Sequence, residues 1–239
     1  MKFDELMDDL VKKGLFGKVS AYMAVIEYQK RGLPHSHILL ILDNDDKIKA
    51  IEDVDDFISA EIPPHPASIT YPNDRLKEDR KAQDERLRKL VLTHMVHGPC
   101  GNEKPNSPCM FNSNGEATNI CHKSFPKDYK TETEWKSSLY YPIYKRRSVN
   151  DGGSEALQNG RIINNSWIVP YNRQLLLKFN CHINCEICVS PKVEKYHYKY
   201  VYKGGDRASL RVDDNGSQIL INEAKQFQDL KSFGAAESA

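Results

Sequence analysis

The stretch from Tyr22 to Leu42 constrains this chain more than any other. Ala24, Val25 and Ile26 form one apolar run, Ile38 to Leu42 form a second, and Lys30-Arg31-Gly32-Leu33-Pro34 breaks the chain between them. Two such runs around a breaker cluster predict a buried β-hairpin. Side chains two apart on a strand share a face, so His35 and His37 project together. Glu27 and Gln29, also two apart, lie on the antiparallel partner and can reach that face. Two imidazoles with a carboxylate or amide make an N,N,O donor set that leaves positions open for substrate oxygens. A partly buried, hydrogen-bonded histidine pair is the plainer alternative. Against it, the pair opens an otherwise apolar strand, where uncompensated polar groups cost free energy, and Glu27 stands where a core prefers Val or Ile.

The charge of the chain is segregated. Over 239 residues the formal net charge is only +1, yet Asp43 to Glu61 carries eight Asp/Glu against two Lys. Lys123 to Arg211 carries sixteen Lys/Arg against eight Asp/Glu. A solvated acidic helix accounts for the first block; the basic half is a footprint suited to a polyanion. No apolar run approaches the length of a membrane span and MKFDELMDDL has no signal-peptide pattern, so the expectation is an intracellular protein without a membrane partner. In that compartment the six cysteines read as thiols or metal ligands rather than disulfides.

In chain order, Phe3, Leu6, Leu10 and Val11 recur at helical spacing, with Gly14 at the capping position, which predicts a helix over 3–13. Ile48, Ile51, Val54, Phe57 and Ile58 predict a second helix behind the acidic run, ended by the prolines at 63, 64 and 66. A third is expected over roughly 76–97, apolar at Leu87, Leu90, Val91 and Met95. The Gly/Pro/Asn-rich loop that follows holds His97, Cys100, Cys109 and Cys121, with His94 and His122 as alternative imidazoles. A loop this long and polar is poorly ordered by packing alone, and a structural Zn²⁺ would supply the order. The spacing matches no CxxC…CxxC pattern, so free cysteines stay open as the alternative.

Beyond the loop, Tyr140, Tyr141 and Tyr144 are interleaved with Lys145, Arg146 and Arg147, and Trp167 follows. Aromatics among cations suit single-stranded nucleic acid, while the same rings serve equally as core residues. Cys181, Cys185 and Cys188 have the spacing of one helical face and are expected to be buried thiols, with a second metal site as the less favoured alternative. In Lys195 to Lys203, Tyr196 and Tyr200 stack one turn apart beside Lys195, Lys199 and Lys203 if the segment is a helix. As a strand, which propensity favours, all four tyrosines share a face. A phenol beside a metal-polarised phosphate is a nucleophile, and neighbouring lysines favour its ionised form.

The strings EYQKRGLPHSH (27–37), AEIPP (60–64), HMVHGPCG (94–101), FPK (125–127), YPIYKRR (141–147), WIVPYN (167–172) and KYHYKYVYKGGD (195–206) carry a resemblance. Colinear over nearly the whole chain, they resemble the Helitron-like replication-initiator domain of rolling-circle transposons, a member of the HUH endonucleases. The family's motif has a hydrophobic residue between its histidines; here it is Ser36, which should point to the opposite face.

The resemblance implies an α+β fold with a central antiparallel sheet flanked by helices, and a helical 195–203 segment. It implies Mg²⁺ or Mn²⁺ held by His35, His37 and Glu27 or Gln29, with Tyr196 and Tyr200 as paired nucleophiles. Lys145, Arg146, Arg147, Lys195, Lys199 and Lys203 are the expected DNA contacts. The implied activity is nicking and transfer of single-stranded DNA through a 5′-phosphotyrosine, in the nucleus. A helicase domain follows in full-length relatives, but GxxxxGK[ST] is not found in this sequence. The expected organisation is an N-terminally incomplete domain over 1–210 and a C-terminal helical segment over 211–239. The competing expectation is a catalytically inactive fragment that keeps DNA binding and a zinc-stabilised loop.

Overall fold

The computed structural model describes residues 2–28, 34–112, 115–135 and 141–188. These fall into two compact units, residues 7–47 and residues 2–6 with 48–188. Among the described residues there are four α-helices and two separate two-stranded antiparallel sheets, so the architecture is mixed α and β. Two hairpins thus stand where a single central sheet was expected.

The first helix, α1 (Lys2–Met7), continues into a wider turn at Asp8–Lys12, where the Lys13 N–H donates to the Asp8 carbonyl at 2.9 Å. Leu10 of the expected stripe is buried. The turn stops at Gly14, whose φ of +61° suits a residue without a Cβ. Gly17 is required for space as well as conformation: at φ +113° an added Cβ would lie 2.6 Å from the Asp46 Cβ. That close approach lets the Asp46 carboxylate accept the Lys18 N–H at 2.7 Å.

The hairpin forms as its pattern predicts. β1 (Val19–Tyr28) pairs antiparallel with β2 (Pro34–Leu42), setting Val25 opposite His37 and Glu27 opposite His35. The pleat puts Val25, Glu27, His35 and His37 on one face and Ala24, Ile26, Ser36 and Ile38 on the other. Ser36 accordingly lies opposite the histidines.

In the larger unit, the expected second helix shrinks to one turn, α2 (Val54–Phe57). The cause is electrostatic and intrinsic: Glu52, Asp53, Asp55 and Asp56 repel at i,i+3 and i,i+4, and aspartate is a weak helix former. Its apolar positions still reach the interior, with Val54 and Ile58 buried and Ile48, Ile51 and Phe57 packed beside them. α3 (Lys77–His94) forms at nearly the predicted length. Its Leu87, Leu90 and Val91 join Met95, Ile62, Ile163, Ile168, Tyr171 and Leu176 in the main core.

β3 (Glu155–Gln158) and β4 (Arg161–Asn164) close around Asn159-Gly160, both at positive φ. This is the two-residue turn that an Asn-Gly pair favours. α4 (Arg173–Phe179) is capped by Asn172, whose side-chain oxygen accepts the Leu175 N–H at 3.0 Å. Asn180, at φ +48°, ends it. The expected helical cysteine face therefore does not form. Residues 181–188 are not helical, Cys181 and Cys188 are exposed, and Cys185 is half-buried.

Candidate functional site

The loop between α3 and the 165–169 segment turns repeatedly on its own backbone. The Met110 N–H donates to Ser107 (2.8 Å), His122 to Cys109 (2.8 Å) and Ser124 to Cys121 (2.7 Å). Two bonds anchor it outside: the His97 N–H to the Trp167 carbonyl (2.8 Å) and the Lys127 N–H to Ser166 (2.9 Å). These turns bring one ligand atom each from His97, Cys100, Cys109 and Cys121 to within 4.8 Å of one another. Cys121 Sγ lies 3.5 Å from His97 Nε2. A tetrahedral zinc with bonds of about 2.3 Å needs its ligands about 3.7 Å apart, so this group fits with small movements. The four residues that converge are the four singled out in the sequence; His94 instead meets Asn180, and His122 is exposed.

Burial favours the protonated form of two of the three thiols. Burial pushes the Cys100 thiol up to about 12, and its contacts with Cys121 and Cys109 add to the rise. Cys109 is raised for the same leading reason. Burial also opposes ionisation of Cys121, but the backbone N–H groups of Phe125 and Lys123 and the other two thiols outweigh it, and its pKa falls. Burial, then the charges of Lys123, Lys127 and Arg161, lower the pKa of His97 and keep its lone pair available. A soft divalent cation would displace the remaining thiol protons and coordinate all four groups.

His97 is held by rings. It stacks on Phe125 (centroids 4.2 Å apart, 9° between planes) and runs parallel to Trp167 (6.5 Å, 8°). Cations close the row, with Lys127 Nζ 5.1 Å from the Phe125 centroid and the Arg161 guanidinium 4.0 Å from that of Trp167. The role of Trp167 is thus packing against a candidate ligand. Phe125 stood in the sequence only as part of the FPK string and Arg161 was not singled out; the fold brings the one onto His97 and the other onto Trp167.

On the hairpin, His37 Nε2 lies 3.2 Å from Glu27 Oε2, with both side chains largely covered. His35 sits directly opposite Glu27 in the register and is exposed. The two strands therefore bring His37 and Glu27 into contact and set His35 beside them on one face. Gln29, Tyr196, Tyr200, Lys195, Lys199 and Lys203 lie outside the described residues.

The basic trio expected to meet DNA has internal partners instead. Arg146 is only 4% exposed and donates to the carbonyls of Asn165 (2.8 Å), Ile168 (2.5 Å) and Ala60 (3.3 Å). Arg147 holds the Glu61 carboxylate through Nε and Nη2, and Lys145 pairs with Asp55 at 2.5 Å. Charge was visible in the sequence, but partners some 86 residues away were not. Tyr144 is likewise buried, its hydroxyl accepting the Ile187 N–H at 2.9 Å.

No helix of the described residues is long and apolar enough to cross a membrane. Comparison with curated proteins returns no match. Residues 1–40, which hold α1, most of the hairpin and both of its histidines, match the family model of the Helitron helicase-like domain at N-terminus, and over that stretch the chain is similar to this family.

Proposed function

We propose that this chain nicks single-stranded DNA and transfers the cut strand in rolling-circle transposition. The observation that carries the reading is the hairpin contact between His37 and Glu27, with His35 opposite Glu27, inside the segment that matches the Helitron family. His35, His37 and Glu27 or Gln29 would hold Mg²⁺ or Mn²⁺, which supplies Lewis-acid polarisation of the scissile phosphate. Tyr196 or Tyr200 attacks that phosphorus: the phenolic oxygen forms a bond to it, the bond to the 3′-oxygen breaks, and the proton passes to the leaving 3′-hydroxyl. The second tyrosine accepts the other strand, Lys195, Lys199 and Lys203 face the phosphates, and a helicase domain and a nuclear setting complete the system as in full-length relatives.

The test is incubation of the protein with end-labelled single-stranded DNA and Mn²⁺, followed by denaturing electrophoresis. A protein–DNA adduct that survives denaturation and disappears with chelator is the expected result. Absence of any adduct under conditions where the DNA is bound would favour the second reading, a non-catalytic DNA-binding module. The convergence of His97 with three cysteines supports that second reading, because a metal-ordered loop serves binding without catalysis.

A further inference from the structure

The loop that carries the candidate metal ligands also presents an open surface. Thr118, Asn119, Ile120, Cys121, His122 and Ser124 line a concavity of about 590 Å³. Buried Cys121, one of the candidate metal ligands, is among its lining residues, and Ile120 beside it is 75% exposed. The Thr118 hydroxyl donates to the Ile120 carbonyl at 2.8 Å, so the chain is fixed where this side chain emerges. Exposed Asn119 and His122 flank it, and exposed Lys123 follows. The rings of His97, Phe125 and Trp167 are engaged with one another and with Lys127 and Arg161.

We infer that the Thr118–Ser124 concavity is a contact site for single-stranded DNA that seats one unpaired base and its phosphate. The chemistry is complementary at each part. Ile120 offers an aliphatic surface to the face of a base, which any base can use. Asn119 and His122 carry donors and acceptors of the kind that meet a base edge. Exposed Lys123, between the lining residues His122 and Ser124 in sequence, supplies a cation for the adjoining phosphate. A duplex keeps its base faces stacked and offers only the phosphate, so the site discriminates in favour of single strands. A metal held by His97, Cys100, Cys109 and Cys121 would stiffen this loop and so link DNA affinity to that site.

This inference rests on the DNA reading above but not on nicking, and the experiment separates them. Fluorescence anisotropy with a labelled single-stranded 20-mer is measured without added Mg²⁺ or Mn²⁺, on the 239-residue chain and on its Ile120→Ser and Lys123→Gln variants. Both side chains are exposed, so the variants should match the parent in melting temperature and zinc content. Each should bind about 5- to 10-fold more weakly. Lys123→Gln should also flatten the dependence of log affinity on log salt by about 0.7, the contribution of one phosphate contact on a single strand. Parent-like affinity in both loop variants, or equal affinity of the parent for duplex and single strand, would overturn the inference while leaving the adduct experiment to decide nicking.

Discussion

His97 and Trp167 are tied together twice: the His97 backbone N–H donates to the Trp167 carbonyl at 2.8 Å, and the two rings lie 8° from parallel. Trp167 is itself packed against the main core, beside Ile168, which is fully buried. The candidate metal ligand is thus fastened to the centre of its unit, and whatever binds the cysteine loop is linked to the stability of the whole unit.

Zinc removal should therefore act globally. Purified protein is expected to hold about one equivalent of zinc through mild chelation, because a closed N/S site binds tightly. Cys109→Ser should lose the metal and on the order of 3 kcal/mol, a fall in Tm of about 6–12 °C for a unit of this size. Elemental analysis and calorimetry check both numbers. Metal-free protein whose melting is unchanged by the substitution would return these cysteines to the role of buried thiols.

What the sequence revealed and what it concealed follow from the range of the interactions involved. The β1–β2 hairpin was legible because its apolar runs and breaker cluster are local, and so was α3, whose core positions recur over several turns. The short β3–β4 hairpin had a readable signal in Asn159-Gly160, but four residues on each side are too few to display alternation. α2 was misjudged because an apolar stripe was weighed without the repulsion among the acids on its other face. Arg146 was misjudged for a different reason: a burst of positive charge looks the same whether it meets solvent or buried carbonyls. The four candidate loop ligands could be listed from their residue types, yet their convergence depends on turns at 107–110 and 121–124 that no spacing rule encodes.

Arg146 supports a sharp stability contrast. Its guanidinium donates to three buried carbonyls, and only that of Asn165 has a second donor, the Ile168 N–H at 3.3 Å, so Arg146→Met should cost about 3–5 kcal/mol. Lys145 is about a third exposed and pairs with a similarly exposed Asp55, so Lys145→Met should cost only about 1 kcal/mol or less. Urea denaturation of the two variants checks the ordering; equal losses would mean that the carbonyls find other partners.

Tyr171 sets an alkaline limit. It is 2% exposed, its hydroxyl donates to the Glu61 carbonyl at 3.0 Å, and burial raises its pKa to about 12 from the ordinary 10. A raised pKa means that the folded state holds the proton longer than the unfolded chain does. Its contribution is complete below pH 10 and is lost as pH rises through 12, a change on the order of 2–3 kcal/mol. Tyr171→Phe removes that titration, so stability measured by urea melts should decline less steeply from pH 10 to 12 than in the parent. Parallel declines would place the alkaline sensitivity elsewhere.

The two hairpin histidines can be separated from DNA binding. His35→Ala and His37→Ala should each abolish metal-dependent cleavage while leaving single-stranded DNA affinity within about twofold, since affinity comes from cations and base contacts elsewhere. In the His37 variant Glu27 loses its imidazole partner, so a matched thermal melt is needed to exclude unfolding. Equal loss of cleavage and binding would make the histidines structural.

The tyrosines give the most selective test of the chemistry. On the helical reading that the resemblance implies, Tyr196 and Tyr200 lie about one turn apart and face the same way, whereas Tyr198 points roughly opposite to both. The covalent adduct should then persist in Tyr198→Phe and Tyr202→Phe, weaken or shift in Tyr196→Phe or Tyr200→Phe, and vanish when both of these are replaced. Phe keeps the ring and removes only the hydroxyl, so a lost adduct reports lost nucleophile rather than lost packing. If the segment is extended instead, all four rings share a face and Tyr198→Phe matters as much as its neighbours. Mass spectrometry of the adduct peptide decides the matter: DNA linked to Tyr198 or Tyr202, or an adduct that survives the double replacement, would refute the assignment even in an active nuclease.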